Sequence, residues 1–157
     1  EFKDVLIDVK AINHYGKYKI FSNEDLDMKY RKIGLKDEWI FLSARFRTSF
    51  DNEKNIQDRM KKIIHSRKSA QPIGIKTGGS TFKNPTGEKA WKLIDQAGCR
   101  GWKNGDAMIS EKHCNFIVNL KNANANQIEE LGQNVKQKVF EDTGIKLNWE
   151  IERIGNR

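Results

Sequence analysis

Hydrophobic positions along the chain follow two different periods. Over the first 50 residues they gather in short runs: Phe2 to Val9, Tyr18 to Phe21, and the aromatic and aliphatic stretch Trp39 to Phe46. Runs of this length and composition predict strands. Between the second and third, Ser22 precedes Asn23-Glu24-Asp25 and predicts a capped helical turn running to Met28. Beyond Phe50 the period lengthens. Ile56, Met60, Ile63 and Ile64 fall at helical steps within Asp51 to Arg67, with Asp51 or Asn52 as the N-cap of an amphipathic helix.

Ser69 to Gly87 is rich in Gly, Ser, Thr and Pro, and reads as a loop interrupted by Ile73 and Ile75. A helix from Glu88 to Ala97 follows, with Gly98 where a left-handed C-cap belongs. Ala107 to Ile109 and Phe116 to Leu120 read as short strands. Ile128, Leu131, Val135 and Val139 mark the clearest helix, Asn124 to Thr143, ended by Gly144. Last, Leu147, Trp149 and Ile151 alternate with Asn148, Glu150 and Glu152, which predicts a strand over 146–154 with one buried face. The sum is an α+β chain with a boundary near Phe50, giving segments 1–50 and 51–157.

Composition narrows the class. The hydrophobic share is 37% and the mean hydropathy −0.77, with two prolines, so the chain is hydrophilic but above the range of disordered sequences. No run approaches 18 apolar residues, and no basic stretch followed by an apolar one opens the chain. The first residues enter a strand pattern without a starting Met, as expected of a piece of something longer. Cys99 and Cys114 form no CxxC pair, and His14, His65 and His113 are scattered. Zinc spacing is therefore absent, and reduced thiols in a cytosolic protein are expected. The 29 Lys and Arg outweigh 21 Asp and Glu, for a net charge of +8. Such a balance fits a solvated basic surface, a nucleic acid or a small polyanionic ligand.

Ile75 to Pro85 holds the densest cluster of functional residue types. Gly74 to Ser80 spaces like the start of a phosphate-binding P-loop, but Ser80 stands where that motif needs Lys. Ser80-Thr81-Phe82-Lys83 and Lys76-Thr77-Gly78 mimic the S-x-x-K and K-T-G of penicillin-binding proteins. There the two motifs face each other across a site. Here they adjoin, so a Lys-Thr-Gly strand has no way to face that serine. What survives is simpler: Gly78-Gly79 allows close backbone approach to a ligand, Ser80 offers a hydroxyl, and Lys83 and Asn84 offer donors suited to an anion. A tight turn satisfied by its own Ser and Asn meets the same spacing.

Several motifs stand in a fixed order: Tyr30-Arg31, Gln71-Pro72, Gly79-Ser80-Thr81-Phe82-Lys83-Asn84-Pro85, Ala90 to Gly98, Ser110 to His113, Asn115 to Asn119, and Leu147 to Gly155. Together they resemble the C-terminal half of bacterial UDP-N-acetylenolpyruvoylglucosamine reductases, the MurB family, over essentially the whole chain. The resemblance implies that residues 1–50 end an FAD-binding domain and that 51–157 form the substrate-binding C-terminal domain. It implies an oxidoreductase of peptidoglycan synthesis, cytoplasmic and monomeric when complete, with no nucleic-acid or membrane partner. Its substrate is UDP-N-acetylenolpyruvoylglucosamine, its cofactor FAD, held mainly by segments not present here, and its co-substrate NADPH.

By motif, Ser80 becomes the acid that protonates a carbanionic carbon, Arg31 the clamp on the substrate carboxylate, and Glu150 its partner on the opposite side. Tyr30, Lys83, Asn84, His113 and Asn115 become substrate-binding candidates, with Arg67 or Lys68 weaker ones. The resemblance also leaves a fragment without activity, or a UDP-sugar-binding domain, as readings of this piece alone. From another class, a non-enzymatic basic module binding nucleic acid lacks an RNP-like strand, a basic helix or a finger to carry it.

Overall fold

A computed structural model describes residues 1–36 and 38–155. The chain divides into two compact units, Glu1–Ile56 and Gln57–Arg157. Mixed helices and antiparallel sheets make it α+β, as the sequence predicts.

The first unit begins with one helical turn, α1 (Phe2–Val5), rather than with strand. The strand pattern seen from Phe2 starts in earnest at β1 (Leu6–Asn13). It is the centre of an antiparallel sheet of order β2-β1-β3, with β2 at Tyr18–Ser22 and β3 at Trp39–Phe46. The β1–β2 turn is organised by Asn13, whose Oδ1 accepts the Tyr15 and Lys17 N–H groups at 3.1 and 2.9 Å. Val9 pairs with Phe21 and Ala44, which puts these three on one face. That face buries Val9, Ala11 and Phe21, with Leu6 and Leu26, and Trp39 meets Phe21 edge-on at 4.9 Å.

The opposite face carries Lys10, Ile12, Tyr18, Ile20 and Ile40 by the same register. Ile20 and Ile40 there are 63% and 65% exposed. The expected turn after Ser22 forms: Ser22 Oγ accepts the Asp25 N–H at 3.1 Å and Asp25 Oδ2 accepts that of Ser22 at 2.9 Å. The Ser22 backbone N–H, with the Ser22 hydroxyl, also holds the Asp25 carboxyl below its ordinary pKa.

Helix α2 (Glu53–Ala70) runs across the division between the units. Its Ile56, Met60, Ile63 and Ile64 follow the predicted stripe, yet none of its residues is buried. Periodicity identifies a face that favours cover. It says nothing about whether the cover is present.

The second unit holds a four-stranded antiparallel sheet of order β4-β7-β6-β5: β4 Lys76–Ser80, β5 Lys103–Asn104, β6 Ala107–Ile109 and β7 Phe116–Asn119. Strand β4 corrects the expected continuous loop over 69–87. Lys-Thr-Gly-Gly-Ser shows no apolar alternation, and pairing with the buried β7 gives it strand geometry. Helix α3 (Ala90–Gln96) ends in a Schellman arrangement, with Gly98 N–H on Asp95 O at 3.0 Å, Cys99 N–H on Ile94 O at 3.1 Å, and Gly98 at φ +69°. Helix α4 (Ala125–Thr143) starts one residue later than expected, with Asn124 as its cap, reciprocated by Gln127, and carries the predicted Gly144 stop at φ +71°.

Leu93 and Ile94 of α3, Leu131, Val135 and Val139 of α4, and Ile109, Ile117, Phe82 and Leu147 form one core. Burying each large aliphatic there contributes about 1.5–3 kcal/mol. The thiols of Cys99 and Cys114 lie in it, and burial pushes Cys99 up to about 11 and Cys114 upward. The alternation over 146–154 does not become a strand. Only an isolated bridge, Phe82 with Trp149, forms there. The segment pairs with the irregular stretch after β4, which offers no ladder to extend it.

Candidate functional site

The Ser80 hydroxyl is placed by a break in the β4–β7 ladder. Lys76 and Thr77 pair with Asn119 and Val118, the register then shifts, and Ser80 pairs with Phe116. Gly78 and Gly79 fill the irregularity, and Gly79 sits at φ +86°, a conformation that disfavours any residue with a Cβ. A bulge of this kind redirects the side chain that follows it. Thr77 pins its near side, donating its hydroxyl to Ile117 O at 2.7 Å and accepting the Gly79 N–H at 3.3 Å. Ser80 is half-buried at the far end.

Asn115 fixes the chain beyond Ser80. Its backbone O accepts the Thr81 N–H at 2.7 Å, its Oδ1 accepts the Phe82 N–H at 3.0 Å, and its Nδ2 donates to Phe82 O at 2.8 Å. Buried Thr81 adds a bond from the Ile117 N–H to its Oγ1 at 3.2 Å. Asn115 is therefore spent on the loop backbone, where the sequence had suggested a substrate contact. Asn84 Oδ1 accepts the Ala90 N–H at 3.0 Å, at the first turn of α3. Lys83 is half-buried beside it.

His113 packs edge-on against Phe116 at 4.9 Å, and its Nδ1 accepts the Asn115 N–H at 3.3 Å. Burial lowers its pKa, helped by the Arg100 cation, so the ring is held in the neutral form that this accepted bond requires. Arg67 and Lys68 lie exposed in the last turn of α2.

Glu150 arrives from the C-terminal segment. Lys83 N–H donates to Asn148 O at 2.8 Å and Glu150 N–H to Thr81 O at 2.9 Å, bracketing the Phe82–Trp149 bridge. Two backbone bonds thus join residues 81–83, which follow Ser80, to residues 148–150, roughly 70 positions further along the chain. Gly78 faces the same segment, since a Cβ there would lie 3.4 Å from Ile151 Cγ2.

Two open clefts flank this junction. One of about 320 Å³ is lined by Lys76, Thr77, Gly78 and Thr81 with Ile151 and Glu152. Another of about 870 Å³ lies between the start of α4 and residues 149–155. Trp149 and Ile151 line the larger cleft together with Glu152, which the expected alternation had set on the other side with Glu150.

Tyr30 and Arg31 belong to the first unit. They occupy the centre of a tight turn closed by Lys29 and Lys32, whose N–H groups reach each other's carbonyls at 3.0 and 3.1 Å. Both are exposed, and the Arg31 guanidinium lies 5.4 Å from the Tyr30 ring centroid. Arg31 has φ +57°, a costly conformation for a residue with a side chain. Such strain is concentrated at functional sites.

Residues 71–154, which hold the bulge, its Asn115 clamp and the Glu150 segment, match the family described as UDP-N-acetylenolpyruvoylglucosamine reductase, C-terminal domain. The chain belongs to that family. It is 53% identical over 155 residues to the UDP-N-acetylenolpyruvoylglucosamine reductase of Rickettsia bellii (strain RML369-C), covering 99% of this chain and 51% of that protein. Identity to the reductase of Parvibaculum lavamentivorans is 48% over 157 residues, covering 100% and 51%. The crystal structure of UDP-N-acetylenolpyruvylglucosamine reductase (MurB) from Thermus caldophilus superposes with a TM-score of 0.79 at 37% identity, over 94% of this chain and 53% of that one. The chain thus spans about half the length of the curated reductases it matches.

Sequence reasoning gave no role to Thr81, Trp149 or Gly132, although a Cβ on Gly132 would lie 2.1 Å from Trp149 Cη2. A glycine inside an otherwise apolar helical period was the available signal for the last, since it marks a close approach.

Proposed function

We propose that the chain is the substrate-handling half of a reductase that converts UDP-N-acetylenolpyruvoylglucosamine to UDP-N-acetylmuramate with FAD and NADPH. The observation that supports this reading is the pairing of residues 81–83, which directly follow the bulge and Ser80, with the Glu150 segment, inside the stretch that matches the reductase family.

The described residues do not form a cradle for a flavin pyrophosphate. Such a cradle needs a glycine turn with outward backbone N–H groups, commonly opening a helix. The first turn of α4 is capped by Asn124 and Gln127, and the Gly79 N–H is taken by Thr77. In this reading the hydride comes from FAD held mainly outside this chain, and this chain's share is the proton and the charge.

Adding a hydride to the vinyl CH2 of the enolpyruvyl ether leaves an electron pair on the adjacent carbon, delocalised into the carboxylate. Ser80 gives its hydroxyl proton to that carbon. A hydroxyl is a weak acid, but a carbanionic carbon is a far stronger base, so the transfer runs downhill. Arg31 neutralises the carboxylate as charge grows on it. Glu150 shares a hydrogen bond with the same carboxylate from the other side. Lys83 and the basic surface suit the diphosphate, with Asn84, whose Oδ1 serves α3, contributing through its amide N–H groups.

The test is Ser80→Ala in the complete reductase. Flavin reduction by NADPH should stay near normal, while the step that consumes the enolpyruvyl substrate slows by about 10²–10⁴-fold, the range of a lost general acid. Equal slowing of both half-reactions would remove Ser80 from the role.

A further inference from the structure

We propose that Trp149 is a positioning residue for the Ser80–Glu150 pair and that Gly132 of α4 is its seat. This rests on the reading of the site given above.

The indole is held by shape. A Cβ built on Gly132 would lie 2.1 Å from Cη2 and 2.7 Å from Cζ3 of Trp149, so the six-membered ring rests directly on the helix backbone. Phe82, which is almost wholly buried, packs on the indole with ring centroids 4.9 Å apart and planes inclined at 38°. The Lys136 ammonium and the Arg153 guanidinium each lie 5.5 Å from the indole centroid. The indole N–H is buried and finds no hydrogen-bond partner among the described residues. Packing alone therefore sets the depth of the ring.

That depth has a direct consequence for the site. Trp149 is the residue bridged to Phe82, and the two bonds beside it join Lys83 to Asn148 and Glu150 to Thr81. No longer ladder supports them. Whatever lifts the indole lifts residues 148–150 away from residues 81–83. Glu150 and the residue after Ser80 then separate.

Gly132 is an unexpected residue at this place. It lies in the interior of a 19-residue helix, is buried, and follows core residue Leu131. Alanine is the better helix former, so propensity argues against glycine here. The indole supplies the reason for it. An added methyl has no space beneath the ring and forces the indole off the helix backbone, while Phe82, fixed in the core, has little room to follow it.

The experiment compares Gly132→Ala with the double variant Gly132→Ala/Trp149→Phe, whose phenyl lacks the outer ring atoms that meet the new Cβ. In this chain, amide exchange by NMR is expected to show Glu150 and Lys83 losing at least tenfold protection in Gly132→Ala. The amides of Leu131 and Val135 in α4 keep theirs. In the complete reductase, the same variant slows the substrate-consuming half-reaction about tenfold and leaves flavin reduction by NADPH unchanged. The double variant recovers most of both losses.

Unchanged exchange at Glu150 and Lys83, a uniform loss across all amides, or a double variant as impaired as the single one would each overturn the proposal. A wild-type complete reductase inactive on the enolpyruvyl substrate would instead overturn the functional reading on which the proposal rests.

Discussion

The two units use the same kinds of residue to different ends. In the second, β6, β7, α3 and α4 enclose a shared interior in which Ala90, Ile94, Ala107, Ile109, Val135 and Val139 are wholly buried. In the first, a three-stranded sheet covers one face with Leu6, Val9, Ala11, Phe21 and Leu26 and leaves Tyr18, Ile20 and Ile40 open on the other. An antiparallel sheet tolerates solvent on one face when that face is polar. Here Lys10 is set among exposed Tyr18, Ile20 and Ile40, and an exposed face this apolar marks a surface made for contact. The difference shows that strand pattern and burial are separate properties: alternation places residues on faces, and only a second layer buries them. Chemistry follows the same division. Ser80 and Glu150 stand on a closed interior, whereas Arg31 stands on an exposed turn of the open sheet.

The contrast is sharpest in core truncation. Leu131→Ala and Ile94→Ala should each destabilise the second unit by about 2–5 kcal/mol in chemical denaturation, the usual loss for a large buried aliphatic. A loss below 1 kcal/mol at both would mean that this interior is not the closed one described. Next in size is the polarity of the C-terminal segment. Glu150→Gln in the complete reductase should lower turnover by about 10–100-fold, roughly 1.4–2.7 kcal/mol of transition-state stabilisation, with Glu152→Gln nearly silent. Steady-state rates for the two variants settle it, and equally mild effects would return both carboxylates to the solvated surface. The smallest effect belongs to the open sheet. Ile40→Thr and Ile20→Thr keep β-branching, and in this chain each should shift stability by no more than about 0.5 kcal/mol. A larger loss would show that something covers that face.

Helix α4 was legible almost to the residue, because its apolar spacing and Gly144 stop pointed the same way. The Gly98 stop of α3 was legible for the same reason. Strand β4 was not. It owes its geometry to pairing with β7, a contact 40 residues away that leaves no mark on Lys-Thr-Gly-Gly-Ser itself. The final segment failed in the opposite direction: its alternation is real, but residues 81–83 offer it only one bridge. Motif order singled out Ser80 and Glu150 as candidates. Their junction through Thr81 and Trp149 depends on three-dimensional packing. Asn115 illustrates the limit. Its place in the motif suggested a substrate contact, and the fold engages its side chain in fastening residue 82.

The central claim is that the second unit is complete in itself and that the first depends on cover beyond its own residues. Chemical denaturation of the separately expressed segment 52–157, followed by tryptophan fluorescence and circular dichroism, tests it most directly. The account predicts one cooperative transition, coincident by both probes, with a midpoint matching that of the second unit in the whole chain. A broad, non-cooperative loss of signal, or a segment already unfolded without denaturant, would contradict it.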